Sequence, residues 1–150
     1  MKDYKNSLWT CVSAQLLKPT DSVWTVLTEP EFTQQYMYNC QLHSDWNVGS
    51  KAVWKQKTEK GNWITHVEAQ VLIYKPYAHL AFTIFHKATE DHPKTSSELN
   101  FILNPTLEGS VLQIKQGDFS KIKGGERRYE LCLQGWQFVL PKLIDRCNNV

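Results

Sequence analysis

Residues 4–17 alternate between apolar and polar. Leu8, Thr10, Val12, Ala14 and Leu16 fall on one side, and Trp9, Cys11, Ser13 and Gln15 on the other. Period two over this length predicts a long strand with one face toward a core. Pro19-Thr20-Asp21 stops it, and Thr20 or Asp21 is placed to N-cap a short helix reaching about Thr28. Val23, Trp24 and Leu27 give that helix an apolar face. Pro30 suits the first turn of a second short helix ending near Tyr36.

The centre reads as strands divided by turn signals. Ala52–Thr58 precedes Lys60-Gly61-Asn62, and Trp63–Tyr74 precedes Lys75-Pro76-Tyr77. Ala78–Ala88 precedes a polar stretch, Glu98–Asn104 precedes a turn from Pro105 to Gly109, and Val111–Asp118 closes the set. A further short strand is expected near Cys40–Asp45. Strands joined so briefly are antiparallel neighbours, so a sheet of six or seven strands is predicted.

From Gly124 to about Cys147 the period changes. Tyr129, Cys132, Leu133, Trp136, Val139, Leu140, Leu143 and Cys147 recur at three and four, the signature of a long amphipathic helix. Gly135 is expected where the helix presses close to the sheet, and Pro141 where it bends. Strand, two short helices, an antiparallel run and one long helix make a layered α+β domain. The helix carries the only large apolar stripe able to cover the sheet, and a curved sheet wrapped around it leaves a gap between them.

Strand register predicts what lines that gap. A two-residue turn at Pro76-Tyr77 sets Ile73 opposite Leu80, Val71 opposite Phe82, Ala69 opposite Ile84 and Val67 opposite His86. His66, Glu68, Gln70, Thr83 and Lys87 then take the solvated side. In the last hairpin Leu103 faces Leu112, Phe101 faces Ile114, and Leu99 faces Gln116. Two polar groups, His86 and Gln116, therefore land on the inner, apolar face. Such groups either are satisfied near strand ends or orient a ligand.

Composition narrows the functional classes. The 150 residues make one domain, 1–150, with 41% hydrophobic residues and six each of Trp, Tyr and Phe. Net charge is +2, which gives no electrostatic case for nucleic acid or acidic lipid. Lys121, Lys123, Arg127 and Arg128 read as a solvated loop and helix entry. No apolar run approaches the ~18–20 residues of a membrane span, and the polar start lacks the apolar region of a signal peptide. Cysteines at 11, 40, 132 and 147 form no CxxC pair and read as reduced thiols of a cytoplasmic protein. No cofactor is expected. No metal is expected either, because the five histidines, including His86 and His92, lack ligand spacing. Glu90-Asp91 reads as a solvated loop pair.

Five motifs, in order, resemble a known family. Pro19-x-x-x-Val23-Trp24-x-x-Leu27-Thr28-x-Pro30 resembles the opening of the Activator of Hsp90 ATPase homologue family. That family is a branch of the START-like, Bet v 1-like (SRPBCC) superfamily. Trp46-x-Val48-Gly49-Ser50 before a strand with Trp54 is similar, as are Val71-Leu72-x-x-x-Pro76-x-x-x-Leu80-x-Phe82-Thr83 and Gly109-Ser110-x-Leu112-x-Ile114-x-Gln116-Gly117-Asp118-Phe119. So is Gly135-Trp136-x-x-x-Leu140-x-x-Leu143. The resemblance implies a helix-grip fold with a cavity between the sheet and the long helix. In the wider superfamily such cavities hold lipids, sterols, polyketides and other hydrophobic molecules, and some members are cyclases or hydrolases.

The leading expectation is thus a cytoplasmic binding protein for a hydrophobic, lipid-like or aromatic small molecule. Its expected lining is Trp54, Phe82, His86, Phe101, Gln116, Phe119, Tyr129, Leu133 and Trp136. An enzyme reading makes His86 the general acid or base, with Gln116 or Tyr129 stabilising developing oxyanion charge. A third reading is a protein-interaction module, either co-chaperone-like or a homodimer. Trp136 is expected buried at the pocket floor.

Overall fold

The computed structural model describes residues 7–90 and 94–150. The start of the expected first strand, residues 4–6, lies outside the described residues, as do Asp91 and His92. In chain order the elements are β1 (Thr10–Leu16), α1 (Thr20–Thr28), α2 (Pro30–Thr33), β2 (Gln41–Ser44), β3 (Lys51–Lys57) and β4 (Trp63–Lys75). There follow β5 (His79–His86), β6 (Thr95–Pro105), β7 (Ser110–Gly117), a 3-10 turn at Phe119–Lys121 and α3 (Gly125–Asn148). The strands form one antiparallel sheet in the order β1-β7-β6-β5-β4-β3-β2. α3 packs against β1, while α1 and α2 fill the connection from β1 to β2. This is the helix-grip arrangement.

Local chemistry explains most boundaries. β1 buries Thr10, Ala14 and Leu16 and exposes Cys11, Ser13 and Gln15, as its alternation requires. α1 starts one residue earlier than its capping residues imply. Pro19 is the N-cap, extended and without a side-chain cap bond, and Asp21 Oδ1 accepts from the Ser22 N–H instead. The Tyr36 hydroxyl donates to the Val26 carbonyl at 2.9 Å, and the Leu42 N–H to Thr33 Oγ1 at 2.9 Å. These bonds hold α1, α2 and β2 together. The Leu17 N–H donates to Asn148 Oδ1 at 2.9 Å, tying the end of β1 to the last turn of α3.

The β6–β7 register is Leu103 with Leu112, Phe101 with Ile114 and Leu99 with Gln116, as expected. β4–β5 agrees at Val71 with Phe82 and Ala69 with Ile84, but shifts between Val71 and Ile73. The turn therefore has three residues, Lys75 faces His79, and Tyr74 rather than Ile73 faces Leu80. A bulge adds one residue to one strand and moves every later side chain to the other face. The Tyr74 ring duly meets Trp24 edge-on at 5.5 Å, at the end plugged by α1.

α3 is about 36 Å long at 1.5 Å per residue and buries Trp136, Val139, Leu143 and Cys147. Its tightest approach is not at Gly135, where an added Cβ would meet only the Tyr38 hydroxyl at 3.6 Å. It is at Gly125, where a Cβ would lie 1.7 Å from the Phe119 carbonyl oxygen. Glycine is required at the helix entry, not mid-helix. Among the described residues no helix is long and apolar enough to cross a membrane, and all four cysteines are free thiols.

Candidate functional site

Away from the α1 plug, the sheet and α3 diverge around a cavity of about 800 Å³. β3 supplies Trp54, β5 supplies Ile84 and His86, β7 supplies Gln116, and α3 supplies Cys132 and Trp136. The apolar wall follows from period two on the strands: Phe82, Ile84 and His86 share one face of β5, and Leu112, Ile114 and Gln116 one face of β7.

The two inward polar groups are joined in one chain of hydrogen bonds. The Trp136 indole N–H donates to Gln116 Oε1 at 3.0 Å, and the Cys132 thiol donates to the same oxygen at 3.2 Å. An indole N–H can only donate, so it fixes which end of the Gln116 amide is oxygen. Gln116 Nε2 then donates to Ser97 Oγ at 3.0 Å, and Ser97 Oγ lies 2.9 Å from His86 Nε2. Burial, aided by the nearby Arg128 cation, pulls the His86 pKa down to about 4, so the ring is neutral at pH 7. The Ser97 hydroxyl carries one proton and two lone pairs, so while accepting from Gln116 it can either donate to or accept from His86 Nε2. Burial also pushes the Cys132 thiol up to about 11, which keeps it protonated and a donor.

Behind the wall runs an aromatic chain. Trp54 meets Phe82 at 5.1 Å, Phe82 meets Phe101 at 6.4 Å and Phe101 meets Trp136 at 5.8 Å, all edge-to-face. At the mouth Tyr38 stacks on Phe138 at 5.5 Å, and the Lys142 ammonium lies 4.2 Å from the Phe138 ring centre.

Of the nine residues expected to line the cavity, Trp54, His86, Gln116, Phe119 and Trp136 do so. Phe82 and Phe101 face the same way but are filled over, and belong to the buried core. Tyr129 and Leu133 are half-buried outside the lining. Steps of four back from Trp136 reach Cys132 and Arg128, which do line it. Tyr129 and Leu133 sit one residue further on, about 100° around the helix. That four-residue step was the signal for Arg128, which composition alone placed in a solvated basic cluster. His66 is exposed, as expected, and also borders the cavity mouth. The register shift between Trp54 and Lys55 leaves it unpaired in the ladder, and its Nε2 lies 3.0 Å from Gln56 Oε1. Glu68 also reaches the mouth while remaining exposed.

Among the described residues no group of three His, Cys, Asp or Glu side chains is placed to hold a metal. The site's chemistry is therefore that of an apolar cavity with a few fixed polar groups.

No curated protein matches the chain. Several solved structures share its fold at low identity. A protein from Mesorhizobium loti superposes with a TM-score of 0.75 at 21% identity, covering 95% of this chain and 98% of its own. One from Nitrosomonas europaea gives 0.73 at 16%, covering 99% of both. A protein of the dynemicin biosynthetic locus gives 0.69 at 16%, covering 92% of this chain and 46% of its own. At such identities the likeness shows the fold alone. Family membership rests on the sequence match, which runs over residues 18–147 to the family described as Activator of Hsp90 ATPase homolog 1-like protein. With the helix-grip sheet and closing helix in place, the chain belongs to that family, within the START-like, Bet v 1-like superfamily.

Proposed function

We propose that this protein binds a hydrophobic small molecule, lipid-like or aromatic and polyketide-like, in the cavity between the sheet and α3. The observation that carries this is the cavity itself. Its volume of about 800 Å³ lies within the ~300–1,000 Å³ of ligand pockets, and its apolar walls with few convergent polar groups match their chemistry. Trp54, Phe119 and Trp136 are the apolar contacts, with Gln116 and His86 as orienting groups. Phe82 and Phe101 support the wall from behind. Four free thiols support a reducing, cytoplasmic setting.

A cyclase or hydrolase in the same cavity has less support. With its pKa drawn down to about 4, His86 is a weak base at pH 7, far from the near-neutral value that general catalysis favours. Two tryptophans line the cavity, so a ligand panel read by intrinsic fluorescence tests the proposal. Saturable quenching by at least one lipid, flavonoid or polyketide analogue is expected. A flat response across all three classes would refute it.

A further inference from the structure

The cavity is richer in donors than in acceptors. Gln116 Oε1 is occupied by two donors, and Ser97 Oγ is engaged by Gln116 and His86. The clearest unused donor is Arg128. Its guanidinium lines the cavity, yet no carboxylate among the described residues pairs with it. Its Nε is fully buried and without a hydrogen-bond partner. Leaving a buried charged donor unsatisfied costs more than leaving a neutral one. Arg127 shows the contrast: it points outward and pairs with Glu130 at 3.8 Å, both largely exposed. Lys87 adds a second positive charge at the mouth. Among the described lining residues Glu68 is the one carboxylate; it is exposed and lies beyond ion-pair distance of Arg128.

We propose that the hydrophobic ligand carries a carboxylate, which Arg128 binds at the His86 end of the cavity while the apolar body lies against Trp54 and Trp136. This rests on the hydrophobic-binding reading and specifies its ligand class. A guanidinium fork matches a carboxylate with two parallel N–H···O bonds.

The test uses matched probes: dodecanoate against 1-dodecanol, and 2-naphthoate against 2-naphthol, titrated at pH 7.5 by calorimetry and tryptophan fluorescence. The two pairs distinguish a linear from a flat acid. In at least one pair the acid should bind about ten-fold or more tightly than the alcohol. Arg128→Gln should remove that preference and leave alcohol affinity unchanged. Arg128→Lys should restore part of it, and Arg127→Gln, on the outward side, should change neither. Thermal melts confirm that each variant is folded. Equal binding of acid and alcohol, or an Arg128→Gln loss shared by both, overturns the carboxylate assignment and leaves hydrophobic binding standing. Absence of binding by all four probes overturns the assignment, and the ligand panel then decides separately whether hydrophobic binding falls with it.

Discussion

Trp136→Ala is the substitution whose cost the geometry lets one work out. The side chain is 7% exposed, its ring meets Phe101 edge-on at 5.8 Å, and its N–H bonds Gln116 Oε1 at 3.0 Å. Truncating a buried Trp costs ~3–5 kcal/mol. One face of this ring borders the cavity and has fewer contacts to lose, so the packing loss lies near ~3 kcal/mol. Losing the indole donor adds ~1 kcal/mol, since Gln116 Oε1 keeps only the weaker Cys132 donor. The total, about 4 kcal/mol, is a large share of the ~5–15 kcal/mol expected for a domain. At ~2–4 °C per kcal/mol for a chain of this length, the midpoint should fall by roughly 8–16 °C. Trp136→Phe keeps most of the ring and loses the donor, so it should cost ~1–2 kcal/mol and alter ligand affinity more than stability. In a Gln116→Leu background the Trp136→Phe cost should shrink by ~1 kcal/mol, which measures the bond directly. Thermal and urea melts of the single and double variants are the assay. A Trp136→Ala protein that melts like the wild type would refute both the burial and the placement of α3 over the sheet.

The His86 pKa is depressed to about 4 in the native state against ~6.5 unfolded, so the unfolded chain binds more protons between those values. Stability should therefore decline as pH falls from about 6.5 toward 4, by ~1–2 kcal/mol after solvent screening. His86→Gln should flatten that part of the profile relative to wild type; parallel profiles would contradict it. Gly125→Ala places a methyl against the Phe119 carbonyl at 1.7 Å and should destabilise by more than about 3 kcal/mol, and a denaturation midpoint within error of wild type would disprove the close approach. Burial pushes the Cys132 and Cys147 thiols up to about 11 and about 12, whereas Cys11 is exposed. Iodoacetamide at pH 8 should label Cys11 first in the native protein and all four cysteines only after unfolding. Rapid native labelling of Cys147, read by mass spectrometry, would contradict its burial.

The element order was legible in the sequence because burial imposes a period, two on a strand and 3.6 on a helix. The β6–β7 register was equally legible, since the turn from Pro105 to Gly109 pins it and Leu99, Phe101 and Leu103 must share a face. The inward placement of His86 and Gln116 follows from the same rule. At Ile73 and Tyr74 that rule could not see the bulge, because either side chain suits an inner or an outer face. Periodicity also assigns a face but not a depth. Phe82 and Trp54 both point inward, yet only the distance between sheet and helix decides which borders the cavity and which is filled over. Ser97 bridges Gln116 and His86 as a small residue without local signal, and its role exists only once β5, β6 and β7 lie side by side. Arg128 shared a basic run with Arg127, and one step of about 100° around α3 turned one toward the cavity and the other toward water. Faces and periods are local properties of the chain; cavity depth, bridging bonds and the environment of a charge arise only when elements distant in sequence pack together.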